Sequence, residues 1–285
     1  MPNQFFVVSP ILHPCRLIKA SPITLGGNIS IRTIKSEHFG AILKKSPSHA
    51  SLIKPNSKSI IIDCADQPPI HDTISYDLLS CTFALNAFSD RGSVIHHNPV
   101  TIRFNRVHSA TEIHDHQAVA AADNHDFALK AGTTPADVAA VYSSVRSAVN
   151  RDPKLSISLR RYNAAMAKTS PDEKVIDLAI CLESMFASQT EISFQFALYN
   201  TVMAEASAEK RHDVYKLLKN FYRWRSKIVH GTHSLDQPWF DENWGKIVRL
   251  ATLSVLSKTA FISANEPGGW TEHLEKIVLG VETVV

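Results

Sequence analysis

The chain has 285 residues, 44% of them apolar, and a formal charge of +3. It therefore has core material for one large or two modest domains, and its overall charge is too small to argue for nucleic acid by itself. Cys15, Cys64, Cys81 and Cys181 lie far apart without paired spacing, which argues against a disulfide framework or a thiolate zinc site and fits a reducing cytoplasm.

Residues 1–14 contain an apolar patch but no basic n-region and no long h-region. No later run approaches about 18 apolar residues. The expectation is a soluble cytoplasmic protein with no membrane partner. From residue 4 to about 106 the apolar runs are short and rich in β-branched residues: FFVV, ITL, ISIRTI, SIIID, TFALNAF, SVI and TIRF. They read as strands. Turn formers separate them: Pro10, Pro14, Gly26-Gly27-Asn28, a Ser/Pro/Lys stretch over 44–58, Pro68-Pro69 and Asp90-Arg91-Gly92. In residues 28–33, Ile29, Ile31 and Thr33 share one face of an alternating strand.

Residues 108–134 are polar, alanine-rich and histidine-rich, and precede the first strong helix start, where Thr134 caps and Pro135 takes the first helical position. The fold class expected is α+β: a β-rich domain over residues 1–132, ending in this linker, and an all-α bundle over 133–285. Downstream the period turns helical over 135–149, 157–168, 171–187, 192–206, 209–230, 239–263 and 270–279. Ser170, Pro171 and Glu173 form a capping-box signature. In the helix they open, Val175, Ile176, Ala179, Ile180, Leu182 and Phe186 make an apolar arc that also contains Glu183. In the next helix Phe194, Phe196, Leu198 and Met203 read as core.

The organising stretch is 214–231, VYKLLKNFYRWRSKIVHG. At about 100° per residue, Val214, Leu218, Phe221, Ile228 and Val229 fall within roughly 60° of Arg225, while His230 points about 140° away. An arginine thus stands where a leucine is expected. His230 lines up with Lys216, Lys219, Arg223 and Lys227 on a basic face that suits phosphates. All formally charged residues from 210 to 227 are Lys or Arg except Asp213. Unpaired buried charge is costly, so Glu183 is the expected partner of Arg225. Gly231 supplies the stop that frees His230.

The spacing Arg225-Ser-Lys-Ile-Val-His230 resembles the Arg-x4-6-His motif of HEPN domains. Together with DEKVIDLAICLESMF ahead of it, the match resembles the Apea-like branch of that superfamily and covers residues 159 to about 263. The resemblance implies a four- or five-helix bundle that dimerises, and a metal-independent endoribonuclease of defence or toxin systems. It gives Arg225 and His230 catalytic roles and Glu183 a supporting one. Ser226 stands where active members often carry Asn, Asp or His. The partners it implies are RNA, a second copy of the chain, and a regulatory protein or antitoxin; no cofactor and no metal are expected.

The residues suit that chemistry. RNA carries its own nucleophile, so a metal-free nuclease needs a base, an acid and a cation. Histidine performs either proton task near neutral pH, and arginine's planar fork meets phosphate oxygens. Against this stands a purely structural reading, in which Arg225–Glu183 is a bridge, His230-Gly231 a helix cap, and the bundle a catalytically silent module for protein or RNA binding. Tyr222 and Trp224 beside the basic face suit base stacking but fit packing better. The histidines His96, His97, His108, His114, His116 and His125, with Asp115, Asp123 and Asp126, offer imidazoles to a divalent ion, although a solvated linker is the default for such a stretch.

Overall fold

The computed structural model describes residues 4–10, 23–26, 28–33, 58–63, 71–91, 100–104, 128–186, 191–205, 207–231 and 235–282. The chain divides into two compact units, Met1–Ser143 and Ser144–Val285. The chain is thus a mixed α and β protein, mostly helical in its described residues. The division falls inside a helix, downstream of the boundary at 132 expected from composition.

In the first unit, β1 (Gln4–Pro10), β2 (Ile23–Gly26), β3 (Ile29–Thr33), β4 (Lys58–Asp63) and β6 (Val100–Phe104) form an antiparallel sheet of order β2-β3-β4-β1-β6. Ile29 and Ile31 are both buried, as their alternation requires, and Asn28 is exposed. With Ile23 and Leu25 they pack on Leu78, Cys81, Ala84 and Leu85 of helix α1 (His71–Ala87) and on Val138 and Tyr142 of helix α2 (Pro135–Arg151).

Helix α1 corrects the reading of TFALNAF as a strand. Asp77, Leu78 and every residue from 80 to 86 are buried, so the run is enclosed on nearly every side and carries no two-residue alternation. Periodicity cannot separate a strand from a helix in that case. Asp90-Arg91, expected in a turn, belongs to β5 (Ser89–Arg91), which pairs with β7 (Ala128–Leu129). The SVI run and all the clustered histidines lie outside the described residues. Thr134 does cap α2. The Asp137 N–H donates to Thr134 Oγ1 at 3.2 Å, and the Thr134 N–H donates back to Asp137 Oδ2 at 2.7 Å.

The second unit contains the end of α2, then α3 (Leu155–Ala167), α4 (Pro171–Glu183), α5 (Ile192–Ala204), α6 (Ala208–Val229), α7 (Gln237–Ala264) and α8 (Trp270–Val278). α4 packs on α3, α5, α6 and α7, and α5 packs on α6, α7 and α8. Their core includes Tyr162, Leu178, Phe196, Phe221 and Val255. The Tyr162 hydroxyl bonds Thr252 Oγ1 at 2.8 Å, fastening α3 to α7.

Two local readings are corrected here. Ser170 precedes Pro171 at the start of α4, but its side chain makes no cap bond, and Glu173 pairs with Lys168 at 3.3 Å instead of closing a box. Phe194 is 50% exposed, because it sits in the first turn of α5, ahead of the packed segment that begins at Phe196. α7 is long and apolar enough to cross a membrane by length and composition, and more than half of that window is buried inside the fold.

Candidate functional site

Two helix ends build the site. Glu183 is the last residue of α4, and Arg225 lies one turn before the end of α6. Leu218 and Phe221 drive α6 into the core, and the same stripe continues through Arg225. The fold therefore carries the guanidinium toward α4, where Nη2 stands 3.4 Å from each Glu183 oxygen. Side-chain exposure is 24% for Arg225 and 21% for Glu183, so both charges are largely desolvated but still reachable.

The pairing is incomplete. Only Oε2 accepts a hydrogen bond from Nη2, while Arg225 Nε and Glu183 Oε1, both enclosed, have no hydrogen-bond partner among the described residues. A structural Arg–carboxylate bridge more often uses two parallel bonds. Burial pushes the Glu183 carboxyl above its usual range, against the opposing pull of Arg225 and of the nearby Tyr222 hydroxyl. Tyr222 also sets its ring under the guanidinium, 5.7 Å from centroid to Cζ, and packs on Phe196 at 4.9 Å. This third member was not read as part of the pair. Its signal was its place three residues before Arg225, one turn back on the same face.

His230 caps α6. Its N–H donates to the Ser226 carbonyl at 3.1 Å, and Gly231 follows with φ +63°, the left-handed conformation that ends helices. The imidazole is exposed, beside Val229 at 49% exposure, and has no hydrogen-bond partner among the described residues. Ser226 is half-buried. Arg225 and His230 thus lie on different sides of one helix end, and no hydrogen bond joins them among the described residues.

Of the basic face, Lys216, Lys219 and Arg223 are exposed. Lys227 instead lies over the Trp224 ring, 4.5 Å from its centroid, and Trp224 meets Trp239 of α7 at 6.0 Å. Trp224 is therefore engaged in packing on one face. Among the described residues no group of three or more His, Cys, Asp or Glu side chains is placed to hold a metal ion. The sequence and the fold match no family model, no curated protein and no solved structure.

Proposed function

We propose that the chain is a metal-independent endoribonuclease of the HEPN type, acting in defence or toxin-like RNA cleavage, with Arg225 and His230 as its catalytic residues at an interface between two copies. The observation that carries this reading is the state of Arg225. It is an arginine in an apolar stripe, held by one nitrogen to an acid, with unused hydrogen-bonding capacity, five residues before an exposed histidine. The enclosed atoms at Arg225 and Glu183 that lack a partner among the described residues support a role in contacting a ligand group as well as bridging.

In the reaction, the ribose 2′-oxygen attacks the adjacent phosphorus as the bond to the 5′-oxygen breaks. The 2′-proton leaves to a base and the departing 5′-oxygen takes a proton from an acid, so the products are a 2′,3′-cyclic phosphate and a 5′-hydroxyl. His230 serves as one of these proton carriers. Arg225 neutralises charge growing on the phosphoryl oxygens, with Glu183 and Tyr222 holding it in place. Lys216, Lys219, Arg223 and Lys227 form the face that meets the RNA backbone, Lys227 after leaving Trp224. One helix aims the two catalytic groups apart, so a second copy brings its own helix end to complete each site. The exposed Val229, Ile192 and Phe194 give that interface apolar surface.

The test is incubation of the purified chain with RNA in EDTA, beside Arg225→Ala and His230→Ala. Cleavage that persists in EDTA, ends in a cyclic phosphate and drops by at least about 100-fold in each variant is the expected result. Cleavage that needs Mg²⁺, or that survives His230→Ala, removes the proposal. RNA binding without cleavage selects the silent module, which Ser226 after Arg225 favours.

A further inference from the structure

We infer that Lys258, buried on α7, is a positioning residue for the site: its ammonium grips the backbone at the end of α4 and so holds Glu183 where Arg225 reaches it. The inference rests on the Arg225–Glu183 site proposed above, and concerns what keeps that pair in place.

Glu183 is the last residue of α4, so fraying of this helix end would separate it from Arg225. The last turn of a helix leaves carbonyls without intrahelical donors. At the end of α6 the left-handed Gly231 closes the helix, whereas Ser184 keeps a right-handed conformation, with φ −70° and ψ −7°. The Met185 and Phe186 N–H groups turn onto the Leu182 and Glu183 carbonyls at 3.3 and 3.4 Å, three-residue bonds of poorer geometry than those of an α-helix. Side chains of two neighbouring helices supply the hold that this turn lacks. Lys258 Nζ donates to the Met185 carbonyl at 3.1 Å. Ser184 Oγ donates to the Cys181 carbonyl at 2.8 Å and lies 2.7 Å from Ser158 Oγ of α3. Glu183 is thus followed by two anchored residues, one tied to α3 and the next to α7, while Arg225 meets it from α6.

The charge on Lys258 is costly where it stands. Its side chain is 7% exposed, and the Asp152 carboxylate between α2 and α3 comes no nearer than 3.6 Å. Asp152 Oδ1 accepts the Lys154 N–H at 3.1 Å, so Oδ2 alone faces the lysine. Burial holds the ammonium below the ordinary lysine value, against the opposing pull of Asp152. A methionine of similar length would fill this space without desolvating a charge. It could not donate to a carbonyl at the negative end of a helix. The carbonyl that Lys258 takes lies two residues beyond Glu183, which links the buried charge to the site.

The test is hydrogen exchange of the Arg225 Nε–H in the full chain, followed by ¹⁵N NMR and identified by its absence in Arg225→Lys. Arg225 Nε is enclosed in the native chain. In Lys258→Met the expected result is exchange about tenfold faster, the worth of one hydrogen bond from a charged group, with no change at the Trp270 Nε1–H. Trp270 packs on Phe261, one turn beyond Lys258, and its Nε1 is also enclosed, so it reports whether α7 itself has loosened. Ser184→Ala, which deletes one hydroxyl, is expected to act in the same direction, and it carries the test if circular dichroism shows Lys258→Met to be unfolded. Unchanged Arg225 exchange in the folded variant, or equal acceleration at Arg225 and Trp270, overturns the inference and leaves Lys258 a purely structural cation. In the cleavage assay, positioning predicts a fall in kcat of about tenfold with KM held within about twofold. A native chain that cuts no RNA removes the ribonuclease reading, while the exchange rates still decide this one.

Discussion

Glu183 keeps a proton more tightly in the folded chain than in the unfolded one, because burial raises its carboxyl above the ordinary value of 4.5 despite Arg225 and Tyr222. The stability that follows from this is full below the ordinary glutamate range and is lost as pH rises from 4.5 through the raised value. Urea unfolding across that window is expected to show the decline in the native chain and to lack it in Glu183→Gln. Glu183→Ala leaves Arg225 enclosed with no carboxylate, at a cost between that of an exposed and of a buried ion pair, about 1–3 kcal/mol in the same assay. A change below a few tenths of a kcal/mol contradicts the pairing. The pair was legible in the sequence, since each residue interrupts an apolar arc and an unpaired charge there needs a partner. The place of Tyr222 beside the pair was not legible, because a tyrosine next to a core stripe satisfies the same pattern by packing alone.

At the scale of the element, the end of α6 decides what His230 presents. Gly231 has φ +63°, and a Cβ added there would meet nothing within 4 Å, so the cost of Gly231→Ala comes from backbone conformation alone. Thermal melts are expected to show a loss of about 1–2 kcal/mol, with Gly231→Asn losing less. The exposed Lys216, Lys219 and Arg223 lie along the same helix. Replacing all three with glutamine should flatten the slope of log affinity for single-stranded RNA against log salt by about 2, and an unchanged slope would place the RNA elsewhere. Most helices of the second unit could be read from the sequence because they present a periodic stripe or carry caps or stops. α1 could not, since Asp77, Leu78 and every residue from 80 to 86 are buried, and its Asp77 is satisfied from afar by the Tyr142 hydroxyl, 3.1 Å away. Long-range partners of this kind leave no local pattern.

For the whole molecule, the two residues of the proposed site point apart: Arg225 is turned inward toward α4, and His230 is exposed at the helix end. Which faces of the bundle are apolar was readable from the sequence, but the exposure of Phe194 and Val229 was not, because burial depends on what packs against a stripe and not on the stripe alone. Both lie on helices that carry the proposed interface, and sedimentation of the native chain against Phe194→Glu/Val229→Glu is expected to convert dimer to monomer and abolish cleavage. Pairing across two copies makes a sharper demand. A mixed dimer of one Arg225→Ala chain and one His230→Ala chain, purified through two different tags, retains one site in which both residues are native. The expected result is recovery of about half of the native EDTA-resistant cleavage, while each parent variant alone stays inactive. A mixed dimer as inactive as its parents, beside an active native dimer, would contradict a site shared between two chains.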